Sequence, residues 1–154
     1  MHNHRSIISR SPEETFELGE KLGADLAGGE VILLTGGLGA GKTLFTKGVL
    51  NSVGFDADEV TSPSFTLVNL YETERFPVYH IDLWRAGDGE DAAFSVGLEE
   101  ILENESAVVI VEWPERLKDY RFACVVFRIA IDGDGDEPRQ IEIRKSEQIP
   151  AARV

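Results

Sequence analysis

The sequence predicts a single α/β domain with a mostly parallel central sheet flanked by helices and with an antiparallel C-terminal hairpin. An apolar run at 31–34 leads into a glycine-rich loop and then a helix-competent segment, which is the strand, loop, helix order of a parallel sheet. A second apolar run, 107–111, is typical of a strand buried on both faces. From residue 122 onwards, alternating apolar residues flank a turn-rich GDGDEP segment, which indicates the hairpin.

The chain has 154 residues, which is the size of one domain, so 1–154 is assigned to a single unit with 1–6 disordered and 146–154 as a tail. Its 28 acidic and 15 basic side chains give a net charge of −13, which argues against direct binding to nucleic acid. The acidic surface either serves solubility or suits a basic partner. There is no signal-peptide core or membrane-spanning run, and Cys124 is the only cysteine. We therefore expect a cytoplasmic protein without a disulfide or membrane association.

The first helix and the helix after the glycine-rich loop have clear start signals. Ile7–Ile8 is expected to form a short edge strand, and Ser11 to Glu14 has the cap, proline and acidic residues of a helix start. This helix is predicted to run to about Ala27. The helix after the loop begins at Lys42 and is expected to end near Gly54. Residues 89–103 are also expected to be helical, and Cys124 is expected to be buried.

The glycine-rich loop has the G-x-x-x-x-G-K-[ST] spacing of a phosphate-binding loop, at Gly36, Gly41, Lys42 and Thr43. Glycines let successive backbone N–H groups point at phosphate oxygens, and Lys42 reaches the β- and γ-phosphates while Thr43 ligates Mg²⁺. A dinucleotide fingerprint fails because Lys42 stands where its third glycine belongs. The sequence therefore predicts a P-loop NTPase that binds a nucleoside triphosphate and Mg²⁺. The predicted nucleotide-binding loop is Gly36, Gly37, Leu38, Gly39, Ala40, Gly41, Lys42 and Thr43.

Two predicted strands end in a carboxylate. Asp82 closes the strand in FPVYHIDLWR, and Glu112 closes the buried strand in SAVVIVEWPE. Ligand sites of open α/β sheets form at the carboxyl ends of strands, which makes Glu112 the stronger candidate for the Mg²⁺ shell. The other carboxylate is then available to orient an attacking water. Sequence alone leaves open whether these two roles are exchanged.

Three further features each have two interpretations. Residues 61–66 have a cluster of hydroxyl side chains around a proline. This segment is either a loop capped by its own hydroxyls or a nucleotide-sensing switch. A strand is predicted to begin at Phe65. Trp113 either packs in the core or shapes the nucleotide pocket or a docking surface. Arg85 either stabilises charge at the site or is an ordinary surface arginine. The aspartates of the acidic turn at 132–136 do not fit a calcium loop, which favours a solvated turn.

Four motifs, GGLGAGKT, TSPSFTLV, VYHIDLWR and VEWPE, resemble in this order the bacterial TsaE (YjeE) family of small P-loop ATPases. The resemblance implies a cytoplasmic ATPase that works with the TsaD and TsaB proteins. Their joint product is threonylcarbamoyladenosine (t6A) at position 37 of tRNAs that read ANN codons. In this reading the chain meets tRNA only indirectly, through its partners. No N-K-x-D element of guanine-selective GTPases is present, which also favours ATP.

The resemblance also implies roles for individual residues. It makes Thr43 and Glu112 the Mg²⁺ ligands and gives Asp82 and Trp113 a role in activity. The implied catalytic set is Lys42, Asp82, Glu112 and Trp113. It further identifies Ser62 to Thr66 as a switch-like loop, with Thr66 at the nucleotide, and Pro12 to Thr15 as a region near the adenine, with Pro12 and Thr15 in contact with it.

The chain departs from the family pattern at two positions. Gly37 stands where the family usually has aspartate, and Trp84 stands where it usually has tyrosine. Two other functions share the loop motif. One is a small-molecule kinase, although the sequence has no lid of clustered arginines. The other is a nucleotide-gated binding module with negligible turnover.

Overall fold

The protein is described here by a computed structural model, which covers residues 4–37 and 39–147. The strands are β1 (His4–Ser9), β2 (Val31–Thr35), β3 (Val68–Glu72), β4 (Pro77–Asp82), β5 (Val108–Glu112), β6 (Val125–Asp132) and β7 (Arg139–Glu147). The helices are α1 (Pro12–Ala24), α2 (Lys42–Ser52), α3 (Glu90–Val96) and α4 (Leu98–Leu102). The strands form one sheet in the order β1-β7-β6-β2-β5-β4-β3.

The centre of the sheet is parallel and its edges are antiparallel. Strand β2 pairs in parallel with β5 and β6, and β4 pairs in parallel with β5. Strand β7 returns antiparallel to β6, with β1 on its outer edge, and β3 is antiparallel to β4. The predicted α/β class, the parallel centre and the C-terminal hairpin are confirmed. Consecutive parallel strands bring their carboxyl ends to one edge of the sheet, where the site lies.

Helices α1 and α2 pack closely against each other on one face of the sheet. A Cβ atom added at Gly19 would lie 2.2 Å from the carbonyl oxygen of Phe45, and one at Gly48 would lie 2.1 Å from that of Phe16. The backbones therefore approach to a distance that only glycine permits. Beneath them, Phe45 and Leu50 are completely buried. This packing fixes α2, and with it the start of the helix that carries Lys42.

The opposite face is covered by α3 and α4. The segment predicted to be helical, 89–103, is helical over most of its length, and Gly97 at φ 67° divides it into two short helices. Cys124, expected to be buried, is only partly covered. Burial nevertheless raises the pKa of its thiol, and the nearby charge of Glu30 adds to the effect.

Several predicted boundaries need correction. The predicted disorder of residues 1–6 is wrong for 4–6, because they belong to β1, which pairs with β7. The tail predicted from 146 is wrong for its first two residues, since β7 continues to Glu147. Residues 1–3 and 148–154 lie outside the described part of the chain. Helix α1 ends at Ala24, and α2 ends at Ser52.

In the described ranges, no helix is long and apolar enough to cross a membrane.

Candidate functional site

The phosphate-loop motif lies between β2 and α2. Gly36, Gly39 and Gly41 have φ values of +152°, +76° and +113°, a region that side chains rarely tolerate. A Cβ atom at Gly36 would lie 2.6 Å from the carbonyl oxygen of Ile131, so the loop also packs tightly against the end of β6. Leu38, which the sequence includes in this loop, lies outside the described residues.

Lys42 is the first residue of α2, directly after the loop, and is only 6% exposed. Its Nζ donates a hydrogen bond of 2.8 Å to the carbonyl oxygen of Gly36. The same Nζ lies 4.2 Å from the centroid of a Trp113 ring, a cation–π contact. The ammonium group is therefore held beside the loop by two neighbours.

Asp82 and Glu112 are neighbours at the carboxyl ends of β4 and β5. They are register partners in the parallel ladder, and each is 5% exposed. One Asp82 oxygen, Oδ1, accepts a hydrogen bond of 2.9 Å from the backbone N–H of Trp84. The structure thus brings together the two carboxylates that the sequence places at strand ends.

His80 is a site residue that the sequence reasoning missed. Its Nε2 lies 2.6 Å from Oε2 of Glu112, and the side chain is completely buried. Nδ1 has no hydrogen-bond partner among residues 4–37 and 39–147, so the tautomer with the proton on Nε2 avoids an unpaired buried donor. The alternation of β4 gave a signal, since residues 80 and 82 lie on the same face of the strand.

A cleft of ≈ 300 Å³ joins these groups at the carboxyl edge of the sheet. It is lined by Gly39, Gly41, Lys42, Thr43, Leu44, Ser62, Ser64, Asp82, Trp84, Glu112 and Trp113. The described residues contain no group of three or more His, Cys, Asp or Glu arranged to hold a metal. Mg²⁺, however, is commonly held by one or two carboxylates, water and substrate phosphates. The oxygen donors of Thr43, Asp82 and Glu112 fit that ion.

The hydroxyl-rich loop closes one side of the cleft. Ser62 and Ser64 line it, and their hydroxyl groups are 2.8 Å apart. Thr66 is exposed, does not line the cleft, and donates to Oδ1 of Asn69. Leu67, at φ 67°, accepts the backbone N–H of Asp82 at 2.9 Å. The loop is therefore tied directly to one carboxylate strand.

The strand that we predicted to start at Phe65 instead begins at Val68, because Leu67 turns the chain before β3. Phe65 is 85% exposed, and the Arg85 guanidinium carbon lies 5.2 Å from its ring centroid. Arg85 does not line the cleft.

Trp113 adopts a left-handed backbone conformation, with φ 59° and ψ 48°. This conformation is rare for a bulky residue and costs about 1–2 kcal/mol. The turn places its indole against both Lys42 and Trp84, whose ring centroid is 4.4 Å away. Trp113 thus lies in the wall of the cleft, where the chain turns directly after Glu112.

A second cavity of ≈ 300 Å³ lies between the start of α1 and the β6–β7 turn. Pro12 and Thr15 line it, together with Gly39 and Gly41 of the phosphate loop. The Thr15 hydroxyl lies 2.7 Å from that of Ser9. Pro12 and Thr15, which the resemblance assigns to the adenine region, therefore share a cavity with the phosphate loop.

Comparison with known proteins identifies relatives over most of the chain. The family described as "Threonylcarbamoyl adenosine biosynthesis protein TsaE" matches residues 9–141. A protein of Aquifex aeolicus named tRNA threonylcarbamoyladenosine biosynthesis protein TsaE is 40% identical over 115 residues, covering 74% of this chain and 80% of its own. A Nostoc protein of the same name is 39% identical over 140 residues, covering 89% and 83%.

A solved structure has the same fold. The crystal structure of YdiB from Bacillus subtilis superposes with a TM-score of 0.74 and is 29% identical, covering 96% of this chain and 88% of that one. The sequence match extends from the end of β1 into β7 and so includes the phosphate loop and both carboxylate strands. The chain therefore belongs to the TsaE family.

Proposed function

We propose that the chain is a Mg²⁺-dependent ATPase subunit that works with TsaD and TsaB in forming t6A at position 37 of tRNAs reading ANN codons. One observation carries the proposal. A lysine, a hydroxyl and two carboxylates from three separate elements, namely Lys42, Thr43, Asp82 and Glu112, line a single cleft beside the phosphate loop. These are the groups that phosphoryl transfer from a nucleoside triphosphate requires.

In this proposal the loop holds the phosphates. The ammonium of Lys42 exchanges its present contact with the Gly36 carbonyl for the β- and γ-phosphate oxygens, while loop amides and the start of α2 donate to them. The base occupies the second cavity against Pro12 and Thr15. Thr66 does not line the cleft and donates to Asn69, so in this arrangement Ser62 and Ser64 are the loop hydroxyls that face the nucleotide.

Thr43 and Glu112 would hold Mg²⁺, which neutralises charge on the phosphates when it is bound. One oxygen of Glu112 is fixed by His80, which leaves the other for the cleft. Asp82 orients the attacking water, with its own Oδ1 steadied by the backbone of Trp84. Trp113 shapes the wall against which Lys42 moves.

The composition of the cleft supports the proposed dependence on partners. Among the described residues that line it, Lys42 is the only basic side chain. Phosphoryl transfer accelerates greatly when a second cation, commonly an arginine, stabilises the transition state. Arg85 is directed at Phe65 instead. We therefore expect slow hydrolysis by the chain alone, and a net charge of −13 fits a protein that meets tRNA through its partners.

The test is Mg²⁺-dependent ATP hydrolysis by the purified chain, alone and with TsaD and TsaB from the same organism. We expect low activity that the pair stimulates and that Lys42→Ala abolishes. Lys47→Ala, a change at the second lysine of α2, is the matched control because Lys47 does not line the cleft. Transfer of the γ-phosphate to a metabolite faster than to water would instead identify a kinase. ATP-dependent association with the pair, without stimulated turnover, would identify a nucleotide-gated binding module.

A further inference from the structure

The β6–β7 turn reaches the phosphate loop through one side chain. Arg139, the first residue of β7, donates from Nε to the carbonyl oxygen of Ala40 at 2.9 Å and from Nη2 to that of Gly39 at 3.3 Å. The same guanidinium group donates to two carbonyls of its own turn, Gly135 at 3.0 Å and Glu137 at 2.5 Å. It therefore bridges two segments about a hundred residues apart.

The turn is folded around this arginine. A Cβ atom at Gly133 would lie 2.8 Å from Cδ of Arg139 and 2.8 Å from the carbonyl oxygen of Pro138. A side chain at position 133 would displace the arginine. A planar guanidinium has five N–H donors in fixed directions, enough to bind four carbonyl oxygens at once. A lysine ammonium has only three donors, and they are not held in a plane.

The acidic residues of the turn fit the same arrangement. A carboxylate of Glu137 accepts the backbone N–H of Asp134 at 3.0 Å, and Oδ1 of Asp134 accepts the N–H of Gly135 at 2.9 Å. Side-chain oxygens thus accept hydrogen bonds from the backbone N–H groups of the turn, while the carbonyl oxygens of residues 135 and 137 accept hydrogen bonds from Arg139. The GDGDEPR segment therefore forms a turn whose carbonyl oxygens bind the arginine side chain.

Holding a carbonyl also sets the direction of the next amide. In a trans peptide the C=O of one residue and the N–H of the next point in opposite directions. When Arg139 holds the Ala40 carbonyl, it directs the N–H of Gly41 away from itself. Gly41 lines the cleft proposed for the phosphates, and Arg139 does not. The N–H of Ala40 is used within the loop, where it donates to the carbonyl of Gly37 at 3.2 Å.

We propose that Arg139 is a positioning residue of the nucleotide site, which pre-organises the phosphate loop by holding its outward carbonyls. The proposal rests on the proposed function only in that the loop binds nucleotide phosphates. Arg139 acts through the loop backbone, so removing it is expected to weaken the binding of MgATP and of Mg²⁺ with inorganic tripolyphosphate by a similar factor.

The experiment measures the Kd of both ligands by calorimetry for the full chain and for Arg139→Ala. We expect the variant to bind each about tenfold more weakly while its circular dichroism is unchanged. The matched control is Arg75→Ala. Arg75, in the β3–β4 turn, also donates to backbone carbonyls, those of Gly23 at 3.3 Å and of Leu26 near the end of α1, but it lines neither cavity. Arg75→Ala is expected to lower the melting temperature and to leave both Kd values within twofold.

Arg139→Lys keeps the charge but loses the fork, so we expect it to weaken binding severalfold, and it replaces the alanine variant if that one does not fold. Unchanged affinity in a folded Arg139 variant, or an equal loss in Arg75→Ala, would overturn the proposal. Arg139 also lines the second cavity, where the base is proposed to lie. A loss restricted to ATP would therefore show that Arg139 acts on the base and would overturn the proposal. Failure of the wild-type chain to bind MgATP would instead contradict the proposed function.

Discussion

The imidazole of His80 and the carboxylate of Glu112 are joined by a hydrogen bond of 2.6 Å between neighbouring parallel strands. The exposed fractions of the two side chains are 0% and 6%. A buried carboxylate with one oxygen fixed has little freedom to rotate. Metal-binding groups are commonly oriented by a second hydrogen bond of this kind, so His80 connects the core of the sheet to the proposed Mg²⁺ site.

We predict that His80→Leu weakens the response to Mg²⁺. Removing an orienting partner typically reduces metal affinity about 10- to 100-fold. The Mg²⁺ concentration that gives half-maximal ATP hydrolysis should rise by such a factor, and the same shift should appear when Mg²⁺ is titrated into the ATP complex by tryptophan fluorescence. His80→Gln, whose amide can also donate to Glu112, should recover part of the loss. Equal behaviour of the two variants would argue against an orienting role.

Glu112→Gln and Asp82→Asn should separate the two carboxylate roles. Both changes are nearly isosteric, so the fold should persist, as circular dichroism can verify. Neutralising a metal ligand raises the Mg²⁺ concentration that hydrolysis requires. Neutralising a water-orienting carboxylate instead lowers the rate of hydrolysis at saturating Mg²⁺. We expect the first pattern for Glu112→Gln and the second for Asp82→Asn. The reverse result would exchange their roles.

Nucleotide binding should change tryptophan fluorescence. The chain has two tryptophans, Trp84 and Trp113, which are in ring contact, and Lys42 lies over Trp113. If Lys42 moves to a phosphate, the field at the Trp113 ring changes. The response to MgATP should therefore remain in Trp84→Phe and be strongly reduced in Trp113→Phe. A response confined to Trp84 would show that Lys42 does not leave the indole.

Gly48→Ala should destabilise the protein without any direct effect on the site. A Cβ atom there would lie 2.1 Å from the Phe16 carbonyl oxygen, a backbone atom that cannot move aside alone. Overpacking of this kind costs about 2–3 kcal/mol, which corresponds to about 5–10 °C in melting temperature for a domain of this size. Gly37→Asp is the control, because a Cβ atom at Gly37 meets nothing within 4 Å. Gly37→Asp should leave the melting temperature nearly unchanged.

The central sheet was predictable because its signals are local. The apolar runs before Gly36 and Glu112 specify buried strands, and both carboxylates stand at strand ends in the sequence as in the structure. The division of the 89–103 helix depends on a left-handed glycine within an apolar pattern. A glycine also occurs inside continuous helices, and its left-handed conformation cannot be read from the apolar pattern, so the pattern alone did not reveal the break.

His80 and Arg139 were missed for a different reason. Each acts through contacts between segments far apart in the chain, 32 residues for His80 and Glu112 and 99 for Arg139 and Ala40. The alternation of β4 places His80 on the same face as Asp82, but it does not indicate which distant residue His80 contacts, and an arginine after a turn gives no such indication either. Their roles emerge only from strand register and from the fold of the β6–β7 turn.

The thiol of Cys124 should react slowly at neutral pH. Burial raises its pKa, with a further contribution from Glu30, and a higher pKa means a smaller fraction of the reactive thiolate. The rate of reaction with a soluble disulfide reagent should therefore be lower in the folded chain than in the chain unfolded in guanidinium chloride. The same shift predicts stability that is fully present below the pKa of the unfolded thiol and is lost as the pH rises through the folded value. Cys124→Ala should remove that part of the alkaline loss of stability, and equal reaction rates in the folded and unfolded chains would contradict the raised pKa.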